Sequence, residues 1–103
     1  MVKDFGEKSF DEVVKENKNV LVQYYADWCG PCQMLKPVLE QISEETNDIE
    51  FYRLNIEEHR DLAVTAGVQS IPTVVFYQDG KEKGREVGFK PKHILESWLN
   101  SQK

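Results

Sequence analysis

Seven consecutive residues, Val20-Leu21-Val22-Gln23-Tyr24-Tyr25-Ala26, limit the possible folds more than any other stretch of the chain. They are rich in β-branched and aromatic types and apolar at both odd and even positions, with Gln23 the one polar exception. Successive side chains of a strand point to opposite sides of its sheet, so a strand with one wet face alternates apolar and polar residues. A run without that alternation needs cover on both sides. It predicts a central strand with helices packed above and below.

The flanking sequence supplies that cover. Val2 to Phe5 reads as a short edge strand, and Ser9-Phe10-Asp11-Glu12 as a capping box that opens a short helix with Phe10, Val13 and Val14 on its apolar face. After the central run, Met34, Leu35, Val38, Leu39 and Ile42 recur at helical spacing, with Pro37 among them predicting a kink. Ile49 to Ile56 alternates as a strand, and Arg60 to Ala66 reads as a short helix closed by a left-handed Gly67. Thr73 to Tyr77 is a further strand after Ile71-Pro72. Asp79-Gly80 is a two-residue hairpin signal that pairs Lys81 to Phe89 with it as an antiparallel edge. Pro91 opens a last helix with Ile94, Leu95, Trp98 and Leu99 expected on its buried face. The order β-α-β-α-β-α-β-β-α predicts one α/β domain over residues 1–103, with a mixed, mainly parallel sheet and helices on both faces.

Composition narrows the function classes. A chain of 103 residues fits one domain, and 40% hydrophobic with 30% charged residues supports a packed core without metal or disulfide staples. A net charge of -5 with scattered basic residues argues against nucleic acid or an anionic membrane as the main partner. Met1 to Phe10 has no apolar signal region, and no apolar stretch approaches the roughly 20 residues that span a bilayer. The expectation is a cytoplasmic monomer.

The chemistry concentrates in Trp28-Cys29-Gly30-Pro31-Cys32, which holds both cysteines of the protein. Thiols at i and i+3 of a helix start lie one turn apart, within reach of a disulfide after a small rotation. Cys29 falls at the helix N-terminus, where free N–H groups and the positive end of the dipole favour a thiolate, so it is the candidate nucleophile. Cys32, one turn further in, is the candidate resolving thiol. Gly30 leaves the approach open, Pro31 presets the first turn, and Trp28 is a ready apolar contact for a docking polypeptide. Two alternatives remain. Half of a zinc site needs two more ligands, and the only histidines, His59 and His93, are far apart in sequence. A bystander pair of buried thiols leaves Gly-Pro between them without a role.

The chain closely resembles the thioredoxin family in the Ala26-to-Cys32 stretch with its Cys-Gly-Pro-Cys, in Pro37, Leu54-Asn55-Ile56, Val68-Gln69-Ser70-Ile71-Pro72-Thr73, Asp79-Gly80 and Val87-Gly88. The resemblance spans nearly the whole length. It implies the thioredoxin fold and a protein-disulfide reductase that cycles between dithiol and disulfide. It also implies no bound cofactor, electrons from a separate thioredoxin reductase, and protein substrates that contain disulfides. A cis Ile71-Pro72 bond facing the cysteines is implied as well, with Trp28, Gly30, Pro31, Ser70, Ile71, Pro72 and Gly88 lining a shallow docking surface.

One departure stands out. The family usually carries a buried Asp where this chain has Gln23, and a Lys partner where it has Arg53. Neither replacement exchanges a proton near neutral pH, so activity with an altered pH dependence is expected. Competing functions are a disulfide oxidase or isomerase on the same fold, and a binding module in which redox chemistry is incidental.

Overall fold

The structure, a computed structural model, describes residues 1–6 and 9–103. Nine elements follow the expected order: β1 Val2–Asp4, α1 Phe10–Glu16, β2 Asn19–Tyr25, α2 Gly30–Glu44, β3 Glu50–Asn55, α3 Arg60–Thr65, β4 Thr73–Gln78, β5 Lys81–Val87 and α4 Lys92–Gln102. The strands form one sheet in the order β1-β3-β2-β4-β5, which puts β2 at its centre. Every residue of β2 is buried.

The parity of β2 divides the interior into two cores. Val20, Val22 and Tyr24 meet Val13 and Val14 of α1 and Ala63 of α3, together with Val75 and Tyr77 of β4. Leu21 faces the other way, into Leu35, Leu39 and Ile42 of α2 and Leu95 and Leu99 of α4, with Phe51, Val74 and Phe76. Each such side chain contributes about 1.5–3 kcal/mol by leaving water. Two faces of equal weight are why β2 tolerates no polar alternation.

Local signals act where the sequence places them. The Ser9 hydroxyl accepts from the Glu12 N–H at 3.1 Å and caps α1. Beyond α3, Gly67 adopts φ 70°, and Gly67 N–H and Val68 N–H donate to the Val64 and Ala63 carbonyls at 3.0 Å each, which closes the helix. Asp79 and Gly80 both take positive φ (54° and 83°), the type I′ pattern whose twist matches the paired strands β4 and β5. α2 runs unbroken through Pro37.

Two details differ from expectation. The sheet is mixed and mainly parallel in direction, but the strand that runs against the others is β4, not the edge strand β5. β1 and β2 run parallel to β3, whereas β4 is antiparallel to both of its neighbours, β2 and β5. The cause is the β3-to-β4 connection. β3 ends at Asn55 opposite Tyr25, and β4 begins at Thr73 opposite Tyr24, at the same end of the sheet. The connection over 56–72 returns the chain to the end of the sheet that it left, so β4 runs back against β2. On the helices, Met34 and Ile94 are exposed, because α2 and α4 bury only a narrow stripe centred on Leu35, Leu39, Leu95 and Leu99.

Candidate functional site

The site forms where three connections meet at one end of the sheet. β2 ends at Tyr25, and the chain passes Ala26, Asp27 and Trp28 before Cys29 takes the N-cap position of α2. The Cys29 N–H donates to the Ala26 carbonyl at 3.2 Å, and Gln33 Nε2 donates to the Asp27 carbonyl at 3.3 Å, so the turn is tied at both sides. Gly30 and Pro31 open the helix and are exposed. Apart from its chain neighbours and the backbone of its own helix, nothing lies within 4 Å of where a Gly30 Cβ would sit, so the space beside Gly30 is open.

Cys29 and Cys32 are joined as a disulfide, with their Cα atoms 5.2 Å apart. Cys29 Sγ accepts a hydrogen bond from the Cys32 N–H at 3.2 Å. That donor is one of the N–H groups a helix start leaves without an intrahelical partner, and it favours negative charge on the sulfur. Cys29 retains 5% exposure and Cys32 none. The two cysteines are therefore inequivalent: Cys29 keeps a trace of exposure and Cys32 has none.

The loop from Gly67 to Pro72 supplies the second wall. The Ile71–Pro72 peptide bond is cis. Ile71 packs against the cluster of Tyr25, Ala26, Cys29 and Cys32, while Pro72 is buried and Ser70 exposed. The loop is anchored by Thr73 Oγ1 donating to the Ser70 carbonyl at 2.6 Å and by Gly88 N–H donating to the Pro72 carbonyl at 2.7 Å. The Gly88 bond joins the end of β5 to the loop, so Ser70, Ile71, Pro72 and Gly88 form one linked group. Trp28, Gly30 and Pro31 form another around the disulfide, and Trp28 is 69% exposed. Cavities of about 370 and 520 Å³ lie elsewhere, one between α2 and α4 and one between α1 and α3.

Beneath the disulfide lies a buried polar chain. Gln23 Nε2 donates to the Cys32 carbonyl at 3.2 Å, and Gln23 Oε1 accepts from Arg53 Nε at 3.4 Å. Arg53, 7% exposed, stacks its guanidinium 3.8 Å from the centre of the Tyr25 ring. It approaches the exposed Asp4 carboxylate at 3.9 Å. Burial pushes the Tyr25 hydroxyl's pKa up, and the Arg53 charge partly opposes that. Among the described residues no group of three or more His, Cys, Asp or Glu side chains is arranged to hold a metal ion.

Two contributors escape a sequence reading. Ile56 packs against the cysteine cluster. Its N–H donates to the Tyr25 carbonyl at 2.9 Å, which continues the β2–β3 ladder into the site. Tyr25 looks like any strand aromatic until its register beside Asn55 and its stacking on Arg53 are known. Tyr25 carries no sequence signal beyond its position at the end of a strand, and Ile56 none beyond that and its place in the Leu54-Asn55-Ile56 stretch.

Comparisons with known proteins agree with this geometry. A sequence model of the family described as Thioredoxin matches residues 1–101. The chain is 40% identical over 100 residues to a thioredoxin of Chlamydia pneumoniae, covering 97% of each chain. It is 37% identical over 103 residues to one of Rickettsia bellii, covering 98% of each. Among solved structures, a mutant thioredoxin from Halobacterium salinarum NRC-1 superposes with a TM-score of 0.88 at 37% identity. That match covers 98% of this chain and 88% of the other.

Proposed function

The chain belongs to the thioredoxin family and is a thiol-disulfide oxidoreductase, a protein-disulfide reductase, and we propose a division of labour between its two cysteines in which Cys29 attacks and Cys32 resolves. Reduced Cys29, as thiolate, attacks one sulfur of a substrate disulfide. The substrate S–S bond breaks, its second sulfur leaves with the electron pair and takes up a proton, and Cys29 is left in a mixed disulfide. Cys32 then loses its proton and attacks Cys29 Sγ. The substrate's remaining sulfur departs as a thiol, and the Cys29–Cys32 disulfide forms. Two electrons pass from the cysteine pair to the substrate.

The observation that carries this assignment is the inequality of the two cysteines. Cys29 reaches the surface and its Sγ accepts the Cys32 N–H, whereas Cys32 is fully covered and can attack only inward, toward Cys29. An exposed Trp28, the open Gly30 and the Ile71–Pro72 wall frame a shallow apolar surface suited to an extended polypeptide. Electrons return to the disulfide from a separate thioredoxin reductase, without a cofactor bound here, and the setting is cytoplasmic. No described helix is long and apolar enough to cross a membrane.

Insulin disulfide reduction by the wild type and by Cys29→Ser tests the assignment. Turnover by Cys29→Ser falls to background, while Cys32→Ser accumulates covalent mixed disulfides on Cys29. Equal turnover by wild type and Cys29→Ser would refute it. Capture of the same partners by the double variant lacking both thiols would favour a binding module instead.

A further inference from the structure

Lys90 holds a charge at the edge of the docking surface and has no role in the exchange steps. Its Nζ donates to the Val87 carbonyl at 2.8 Å and lies 3.9 Å from where a Gly88 Cβ would sit. The Gly88 N–H in turn donates to the Pro72 carbonyl at 2.7 Å, and Val87 pairs with Thr73. Two hydrogen bonds and one peptide link thus join the ammonium to the cis Ile71–Pro72 loop.

The backbone that carries this side chain is pinned on both sides. Phe89 packs against the core under α2 and α4. Pro91 opens α4, and its carbonyl accepts from the Ile94 and Leu95 N–H groups at 3.1 Å each. Gly88 takes φ 89°, a conformation that favours glycine, so the bend that returns Lys90 over Val87 is built into the chain. Lys90 is half-buried. A side chain already held this way loses less rotamer freedom on meeting a ligand than one free in solvent.

The charge is uncompensated. A carbonyl fixes an ammonium without cancelling it, and it takes only one of the three donors. Among the described residues no carboxylate forms an ion pair with Lys90, whereas Lys3, Lys92, Lys103 and Arg85 each hold one. The exposed Asp27 belongs to the other wall, beside Trp28. The chain as a whole carries -5 and repels an acidic partner at long range. Within a Debye length of about 8 Å the local cation governs instead.

We propose that Lys90 is a specificity-determining residue: it recognises an acidic side chain on the disulfide-bearing polypeptide, so that substrates with Asp or Glu near their cysteine are reduced in preference to those with Lys or Arg there. The proposal rests on the reading that the surface framed by Trp28, Gly30 and Ile71–Pro72 docks the substrate. An extended polypeptide advances about 3.3 Å per residue, so three residues on either side of its cysteine sweep about 10 Å of that surface in each direction. A carboxylate that reaches Lys90 takes up the remaining donors while it keeps contact with water. The gain is that of an exposed ion pair, up to about fivefold in affinity. Recognition is non-covalent and leaves the thiol exchange itself unaltered.

The test uses the full chain in its dithiol form and a set of end-blocked heptapeptides, each with one cysteine in a mixed disulfide with mercaptoethanol, a neutral group. A single Glu, Gln or Lys is moved through the three positions on either side of that cysteine in an otherwise uncharged peptide. Acid quenching and chromatography of the released peptide thiol give second-order rate constants. In the wild type at least one position favours Glu over Gln about threefold and over Lys about tenfold, and about 0.5 M salt reduces both preferences below about twofold. Lys90→Gln abolishes the preference, Lys90→Glu reverses it, and Lys90→Arg keeps most of it. Equal rates for Glu, Gln and Lys at every position overturn the inference, as does a preference that survives in Lys90→Gln. A uniform loss over all three peptides with a lowered urea midpoint in Lys90→Gln overturns it too, and makes Lys90 a clasp of its own turn. Wild-type release no faster than that of Cys29→Ser, whatever the charge on the peptide, overturns the reading of docking and attack on which the inference rests.

Discussion

Gln23 and Tyr24 are neighbours in β2, both without solvent exposure, and both carry a polar group into the interior. They point to opposite faces of the sheet and meet opposite fates. The Tyr24 hydroxyl lies 2.7 Å from that of Tyr77 in the core under α1 and α3, and the two neutral groups satisfy each other. Gln23 joins a permanent cation to the backbone of the resolving cysteine and leads on to the rim of the sheet at Asp4. A closed neutral pair satisfies itself, whereas an open charged chain hands each polar group on to a further partner. The difference between a structural and a functional polar group is therefore what lies beyond its first partner, since burial is the same for both.

Gln23→Leu gives the largest stability effect within this comparison. It leaves a buried guanidinium without its internal acceptor and the Cys32 carbonyl without its side-chain donor, a loss of about 2–4 kcal/mol. Urea unfolding measures that loss. If Gln23→Leu unfolds like the wild type, the charged chain adds nothing to the fold and the contrast fails.

Tyr24→Phe comes next. It strands the Tyr77 hydroxyl, at about 1–2 kcal/mol, and leaves insulin disulfide reduction untouched. Removing both hydroxyls recovers much of the loss, because no polar atom is then left without a partner. The same pair governs behaviour in alkali. Burial raises the pKa of Tyr24 and of Tyr77; for Tyr77 the bond to Tyr24 works against that rise. A raised folded-state pKa gives stability that is complete below the unfolded value, near 10, and is lost as pH climbs from there toward the folded value, by up to about 1.4 kcal/mol per pH unit for each tyrosine. Urea midpoints followed upward from pH 9 are expected to fall steeply in the wild type and less so in the double Phe variant. A shared slope would place the alkaline transition outside this pair.

The contrast also shows what was legible in the chain. The two-sided cover of β2 follows from Val20 to Ala26, the α1 cap from Ser9, and the β4–β5 hairpin from Asp79-Gly80, since each is encoded by residues adjacent in sequence. Gln23 was visible as an exception within an apolar run. That it faces α2 rather than α1 depends on register, and its link to Arg53 depends on strand pairing between residues 30 positions apart. The antiparallel direction of β4 depends on which end of the sheet the chain re-enters after α3. The cis bond before Pro72 was available only through family resemblance, because the local sequence reads equally as an ordinary loop-to-strand boundary. Contacts that close over long sequence separations carry the site, and a single sequence does not state them.

The Glu82–Arg85 pair offers the smallest effect and the sharpest limit on the comparison. Arg85 donates from Nε and Nη2 to the two Glu82 carboxylate oxygens at 2.7 Å each, a fork matched to a fork, yet the two side chains are 29% and 38% exposed. The hydrogen bond from Arg85 holds the Glu82 carboxyl below its ordinary range, against a weaker desolvation that raises it. A lowered folded-state pKa gives stability present above the unfolded value, near 4.5, and lost as pH falls through the folded one. Solvent screening leaves about a few tenths of a kcal/mol. Glu82→Gln is therefore expected to shift the urea midpoint barely at pH 7, to match the wild type in acid, and to leave insulin disulfide reduction unchanged. Arg85 keeps its bond to the Ala66 carbonyl at 2.6 Å in that variant, so α3 stays tethered to β5. Were Glu82→Gln to lower stability at pH 7 by much more than that, solvent screening would not be what separates this exposed pair from the buried ones.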